Sequence, residues 1–595
     1  MTKDYYPFLK RTFSLPANEG KDKVVPLSEA VRRYVRPRYV LHIPRESGAA
    51  SNEIVRQFSG KNPQFTVISS VFTASPLNLF FSGLVSRIIT SLIAHIYPSP
   101  YPVKAVIDAH TQGRIEIESW SLYTLEQRLM AAAMGLSFLP ANSILGTSLV
   151  GENPENYRLI KNPFEKSGGE VGVIRALQPD ISIIHACAAD PYGNAILPMP
   201  CEDNIWGPRA SREGVILTTE RLVSSSYIRA RSAQVRIPGY LVRSVSVAPF
   251  GSHPIGLFSP DMAKGVNYAI DYDYITASRR ACMNPEGIRT WLKDWVFDCP
   301  DHDAYIEKLG HERTAALKEI ALPQKQKEKL KSLALQNRGG PATPGEWMTV
   351  AACRKIVERI LNQKLRTVQA GIGASYISST MAYYLLREKG YYVDMATGGG
   401  QIGFSPFPGD PSGGSTASIG TCKMLTDSTE AYGTVVGGQG NRCLCVLGTS
   451  QIDPYGNLNT SRSGGAFLLG TGGAPDGARS RETLVVAKAS RERLLPEIPY
   501  ISTPGNRVRT FVSQLGIMEK PDDKDESCVL HSELVLTSCF NYHPGLSKEA
   551  MIENIRKDCG WELKISPALR EEPPPTEKEL VILRALDPEA LFTTL

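Results

Sequence analysis

The sequence predicts an α/β protein made of two related units in one chain, each built on a mainly parallel sheet. Three observations carry this expectation. The five residues DPYGN occur twice, at Asp190–Asn194 and at Asp453–Asn457. Each copy follows a short apolar run and returns to an apolar residue, so the contexts match as well as the letters, which indicates internal duplication. Strand-like runs alternate with helical ones along both halves, the pattern of βαβ units. Between the halves, a stretch rich in Lys, Glu, Ala and Leu ends in NRGGPATPG, Asn337–Gly345, a composition that breaks regular structure. The expected division is a first domain over residues 1–315, a linker over 316–342 and a second domain over 343–595.

The elements follow in order. Residues 1–25 read as an irregular arm, Val25–Arg33 as a helix and Tyr39–Ile43 as a strand. PRESGAA then leads into a helix near Ser51–Phe58, and Phe65–Val71 is a second buried strand. Asn78–Tyr97 is the most apolar long stretch; Ser residues, Arg87 and His95 interrupt it, so a core helix is expected rather than a membrane span. Thr111–Trp120 is a strand and Leu125–Met134 a helix. Each DPYGN suits a type I turn, with Asp first, Pro second at its fixed φ, and Gly last. Val245–Leu257 runs into a Gly/Pro loop carrying His253. Leu309–Gln336 reads as one helix. The second unit opens with helix Glu346–Leu361. Strand Leu365–Gln369, the loop AGIGAS, a helix to about Lys389 and strand Tyr391–Met395 follow. The tail holds helices at Lys548–Asp558 and near Thr576–Leu586.

At 595 residues the chain exceeds one ordinary core. Hydrophobic content of 42% and charge of 21% are those of a globular protein in water. A net charge of +6 over this length suits small anionic substrates and is too small to argue for nucleic acid, so none is expected. The eleven cysteines form no CxxC pair and no Cys/His ligand spacing, so no metal is expected and the thiols read as those of a reduced, cytoplasmic protein. MTKDYYPFLKRTF lacks the apolar core of a signal peptide.

Several stretches carry candidate chemistry. Gly371 and Gly373 lie between a strand and a helix, where backbone N–H groups receive an anion or oxyanion. A dinucleotide fingerprint wants a third glycine where Tyr376 stands, although Asp394 follows at the spacing of the ribose-binding acid; a nicotinamide site and a plain tight turn are the alternatives there. TGGGQIG, Thr397–Gly403, is entropically costly and reads as a backbone cradle formed by Gly398, Gly399, Gly400 and Gln401, or as a flexible loop. No Glu lies between Tyr391 and Thr429. In RIEIESW an extended chain puts Arg114, Glu116, Glu118 and Trp120 on one face. That face is either solvated or offers a carboxylate base, with Arg128 as partner and an apolar wall raising its pKa. Gly472 and Gly473 form a further glycine loop. His253, His543 and His185 read as structural.

Together these pieces resemble the family I CoA-transferases of the glutaconate CoA-transferase type. GRIEIESWS, GLSFLPANSILGTSL, IIHACAADPYGNA and APFGSHPIGL resemble its α subunit, over about Val25–Arg313. AGIGAS, GDPSGG, GTSQIDPYGNLNTS, GTGGAPDGA, YISTPGN, LVLTSCFNYHPGLS and GWELKIS resemble its β subunit, over about Thr343–Phe592. The resemblance implies two NagB/RpiA-like units, a pseudo-heterodimer in one chain, acting on an acyl-CoA thioester and a carboxylic acid. It implies coenzyme A as part of the substrate, no metal, no nucleic acid or membrane partner, and further self-association.

In that family a glutamate opens a motif of Glu, a small residue, Gly, two variable residues and Gly. Its glycines fall on Gly400 and Gly403, which puts the glutamate position on Gly398. A hydrogen is no nucleophile. The first-strand glycine loop of the α subunit is likewise replaced, by HIPRESGAA. The resemblance therefore implies hydrolytic C–C cleavage (retro-Claisen) or decarboxylation, with Glu118 or Glu116 as base. The alternatives are true transfer with a displaced nucleophile, Asp394 or Asp410, and an inactive scaffold.

Overall fold

The computed structural model describes residues 4–14, 19–97, 100–165, 168–259, 266–408, 410, 413–521, 532–542 and 545–594. The first unit is a seven-stranded sheet, parallel throughout. In chain order its strands are β1 (Val40–His42), β2 (Phe65–Ile68), β3 (Val85–Thr90), β4 (Glu116–Ser119), β5 (Ile181–Ala186), β6 (Val215–Thr219) and β7 (Val242–Val247). Their spatial order is β7-β6-β5-β1-β2-β3-β4. Every residue of β5 is buried, as expected for a strand covered on both faces.

The second unit contributes β8 (Thr367–Ala370), β9 (Asp394–Ala396), β10 (Gln401–Phe404), β11 (Met424–Leu425), β12 (Cys443–Leu447), β13 (Glu482–Val486), β14 (Val508–Ser513), β15 (Gly516–Glu519), β16 (Val535–Cys539) and β17 (Ile565–Glu571). They form one ten-stranded sheet, β11-β10-β9-β8-β12-β13-β14-β15-β16-β17. The central run β9-β8-β12-β13-β14 is parallel; β10 and β15 turn back antiparallel to it, and β11 and β16 reverse once more. The order β8-β12-β13-β14 repeats β1-β5-β6-β7. Even the irregularity recurs: the register slips at Val215/Ile216 in one sheet and at Thr483/Leu484 in the other.

The DPYGN turns show the duplication atom by atom. Asp190 Oδ1 accepts the N–H of Tyr192 at 3.1 Å and of Asn194 at 2.9 Å, and its Oδ2 accepts Asn194 Nδ2 at 2.8 Å. The matching bonds at Asp453 are 3.0, 2.9 and 2.8 Å. Gly193 and Gly456 close the two turns in left-handed backbone, at φ 93° and 76°. The Asn side chain then accepts from the Gly239 N–H in one copy and the Gly505 N–H in the other. A lysine, Lys23 or Lys520, donates to that glycine's carbonyl.

Three readings of the sequence are corrected. Residues 6–13 form a helix rather than an irregular arm. Asn78–Tyr97 is not a core helix: a short helix, Leu77–Phe81, stops where Gly83 takes a positive φ, and β3 follows, its Val85, Ile88, Ile89 and Thr90 suiting a buried strand. The helix expected over Leu309–Gln336 is two, His311–Ile320 and Pro323–Leu335, parted where Pro323 supplies no N–H. His543 lies outside the described residues. Among the described residues no helix is long and apolar enough to cross a membrane.

The halves meet closely. Asp476 accepts from Ser121 Oγ at 2.7 Å and from Tyr123 N at 3.0 Å, at the start of the helix Leu122–Ala133. Backbone bonds Ile93 N→Leu469 O, Gly472 N→Ser91 O and Leu122 N→Gly472 O continue the seam.

Candidate active site

The carboxyl ends of the two parallel sheets face each other across this seam, where open α/β sheets bind ligands. Arg45 and Glu46 follow β1, Ser70 follows β2 and Leu92 follows β3. Opposite them Gly371 follows β8, Thr397–Gly399 follow β9 and Gly448–Ser450 follow β12. They enclose a cavity of about 550 Å³. Of the sequence candidates, Gly371, Gly398, Gly399, Gln401, Gly472 and Gly473 line it. Gly373 lies beside it, capping the helix Ala374–Glu388 at φ 89°. Gly400, at φ 106°, turns its N–H inward to Thr397 O at 3.3 Å. The N–H groups of Gly398 and Gly399 have no acceptor among the described residues. Gln401 Oε1 is buried in the wall without a partner among the described residues.

Glu116, Glu118 and Arg128 do not line this cavity. The shared face read from the sequence is real, since Arg87 on β3 reaches both Glu116 and Glu118. Yet Glu118 is buried and held by Arg87, by Arg128 and by Trp120 Nε1 at 2.7 Å. Burial alone would raise its pKa; Arg128, the Trp120 hydrogen bond and Arg87 outweigh burial and hold it below the usual range. A carboxylate so fixed is a poor base. Arg128 stacks on Trp120, 4.6 Å from the ring centre, and donates to Arg175 O. This cluster ties a helix to the sheet. Asp394 pairs with Lys423, and Asp410 accepts from Gly413 N and Ser418 Oγ; neither lines the cavity. His185 and His253 are buried in hydrogen bonds, to Thr218 and Glu220 and to Tyr305 and Asp271.

The acidic group at the cavity is one the sequence reading missed. Glu46, Glu202 and Asp203 surround a single cation, Arg45. Arg45 Nε donates to Glu46 at 2.8 Å and Arg45 Nη2 to Glu202. Asp203 accepts the Ser70 N–H at 3.1 Å, and Ser70 Oγ donates to the buried Glu126 at 2.7 Å. Burial drives the Glu202 carboxyl up to about 8; Arg45 opposes this, while Glu46 and Asp203 add to it. Glu202 sits at φ 46°, a conformation a side-chain-bearing residue rarely holds, and its backbone is bridged to Asp427 of the other half.

Two glycines reveal what the cradle is built around. A Cβ on Gly398 would lie 2.0 Å from Tyr432 Oη, so the phenol occupies the space a side chain there needs. A Cβ on Gly399 would lie 3.2 Å from Glu202 Oε1. The second half thus carries no carboxylate at 398, and the first half presents one over the next residue. The only early signals were HIPRESGAA in place of a glycine loop and the acidic pair in PCEDN.

Residues 29–248 match the coenzyme A transferase family model. The chain is 29% identical over 229 residues to one of the two subunits of glutaconate CoA-transferase from Acidaminococcus fermentans, covering 35% of this chain and 67% of that subunit. It is also 28% identical over 173 residues to the other subunit of the same enzyme, 26% of this chain and 60% of that subunit. It shares its fold with the acyl-CoA transferase YdiF of Escherichia coli O157:H7, at a TM-score of 0.60 and 16% identity over 94% of this chain and 96% of that one. The fold is that of the coenzyme A transferases, and the match to their family model lies in the first half of the chain. The chain is similar to both glutaconate CoA-transferase subunits.

Proposed function

We propose that the protein acts on an acyl-CoA thioester and cleaves a C–C bond at its β position through an enolate, without covalent attachment to the protein. One observation carries this reading: the nucleophile position is a glycine whose side-chain space the Tyr432 hydroxyl fills, and the Glu202 carboxyl, its pKa raised by burial, stands over the next residue. The thioester carbonyl lies against the free N–H groups of Gly398 and Gly399, which stabilise negative charge developing on its oxygen. Gln401 Oε1 accepts from an amide of the pantetheine arm, and Gly371, Gly472 and Gly473 allow that arm close approach.

When the bond breaks, its electron pair moves into the thioester as an enolate. The departing group leaves as carbon dioxide or, after water adds to a β-keto carbon and one hydroxyl proton of the hydrate passes to solvent, as a carboxylic acid. Glu202 then gives its proton to the α-carbon and regains one from solvent. Positioned proton transfer of this kind contributes about 10²–10⁴-fold. Glu202, acting as an acid, takes the place that the sequence reading gave to Glu118 as base, and Arg45 orients it.

The placement of Glu202 supports one second reading: the glutamate has moved from one half to the other and itself forms the acyl anhydride and glutamyl-CoA of a transferase. Borohydride or hydroxylamine trapping during turnover, read as intact mass, separates the two. An unmodified chain during product formation fits the enolate route; a reduced or hydroxamate-bearing Glu202 peptide refutes it.

A further inference from the structure

A second groove, of about 870 Å³, opens at the opposite end of the second sheet. The seam cavity lies at the carboxyl ends of the strands; this groove lies at the amino ends of β8, β12, β13 and β14. Arg442, Arg481 and Arg507 immediately precede β12, β13 and β14, and Lys364 ends the helix that leads into β8. Neighbouring strands lie about 5 Å apart, so these four cations stand in a row of roughly 15 Å. Arg479 adds a fifth, and no Asp or Glu is among the groove's described lining residues.

The duplication supplies a comparison. At the same end of the first sheet, the residue before β5 is Asp180, which pairs with Arg212 at 2.9 Å. Glu213, at the start of β6, accepts from Tyr39 Oη at 2.7 Å. The second copy puts Arg442 before β12 and Arg481 before β13 instead. Lys364, Arg442 and Arg481 have neither an ion pair nor a side-chain hydrogen bond among the described residues. Elsewhere in this unit arginines are paired: Arg354 with Glu579, Arg359 with Glu482 and Arg584 with Glu346. Like charges held this close repel, a cost that a bound polyanion removes. Beside the row, the N–H groups of Gly438, Gln439 and Gly440 have no acceptor among the described residues. Guanidinium forks and free main-chain N–H groups together suit phosphate oxygens.

The groove is distinct from the seam cavity, and no residue lines both. The helix Ala474–Gly477 stands between them. Ala474 lines the cavity, Pro475 lines the groove, and the buried Asp476 ties the helix to Ser121 and Tyr123.

We propose that this groove binds a small ligand carrying at least two phosphate groups, at a site separate from that of the thioester. A lone phosphate covers only part of the row, whereas a diphosphate engages arginines on adjacent strands. The proposal stands apart from the thioester reading and does not depend on it.

Calorimetry and thermal shift on the full chain, with pyrophosphate, inorganic phosphate and free CoA as probes, test it. One pyrophosphate per chain is expected, bound about tenfold or more tighter than phosphate. Arg442 and Arg481 are exposed, so Arg442→Ser and Arg481→Ser should melt as the wild type does. Each should weaken pyrophosphate by about tenfold, the loss of one charged hydrogen-bonding partner. Arg212→Ser, which removes the same charge at the matching end of the first sheet, should change it by less than about twofold, as should saturating free CoA. Silence from millimolar pyrophosphate in both measurements overturns the proposal. So does an equal loss in Arg212→Ser, which would mean general charge attraction, or displacement of pyrophosphate by free CoA, which would make the groove part of the CoA site.

Discussion

Glu202→Gln is the sharpest perturbation of the proposed chemistry. The amide keeps the shape of the side chain over Gly399 but carries no transferable proton. Arg45 retains Glu46 at 2.8 Å, so no guanidinium is stranded, and the melting temperature at pH 7 should change little. Losing a positioned acid predicts a fall in turnover of about 10²–10⁴-fold, with acyl-CoA affinity within about threefold of wild type. The pH profile gives an independent check. The acid form is the active one, so wild-type turnover should decline as pH rises through about 8. The residual turnover of the variant should show no such limb. Stability follows the same group. Its folded pKa lies above the ordinary value, so its contribution is full below about 4.3 and is lost as pH climbs through about 8. The wild-type melting temperature should therefore drop more than that of Glu202→Gln between pH 6 and 9. Turnover is followed by chromatography of the shortened acyl-CoA from a β-keto acyl-CoA in D₂O, where the route places one deuterium on the α-carbon. A variant keeping a third of wild-type turnover, or an unaltered pH limb, refutes the assignment.

Other outcomes follow from the same geometry. Gly398→Ala forces a Cβ toward Tyr432 Oη at 2.0 Å and should cost about 1–3 kcal/mol by denaturant titration, with acyl-CoA binding weakened; a stability equal to wild type would mean the phenol moves freely. Glu118→Gln removes the shared partner of Arg87 and Arg128 and should cost about 3–5 kcal/mol, yet turnover per folded molecule should stay within threefold; a hundredfold loss in correctly folded protein would restore Glu118 as the base. The lowered pKa of Glu118 makes its contribution present above about 4.3 and lost as pH falls through its folded value, so the variant should lack part of the acid-denaturation step of the wild type. Asn194→Ala and Asn457→Ala break equivalent bonds and should destabilise by similar amounts, about 1–3 kcal/mol each; a large disparity would argue that the two turns differ in structural weight.

The parts of the molecule legible from sequence are those that neighbouring residues specify. DPYGN writes its own turn through Asp, Pro and Gly, so the duplication was readable before any contact was known. Glycine loops after strands likewise announced one wall of the cavity. Asn78–Tyr97 misled because helix and strand share apolar composition, and the break at Gly83 is a conformational fact. Glu118 misled differently: alternation gave the correct face of β4, but whether that face meets solvent, a cleft or two arginines depends on β3 and the following helix. Glu202 was invisible because its importance is tertiary. Nothing in PCEDN reveals that a left-handed residue, bridged to Asp427, will lean over a glycine almost two hundred positions away.

A structure of the protein with an acyl-CoA analogue that keeps the thioester but has no cleavable bond at its β position is the most direct test of the central claim. The account predicts the carbonyl oxygen beside sulfur within hydrogen-bond reach of the Gly398 and Gly399 N–H groups. It also predicts the adjacent carbon within about 3–4 Å of the Glu202 carboxyl. An analogue bound away from the seam between the halves, or with its carbonyl turned from Gly399 and Glu202, contradicts it.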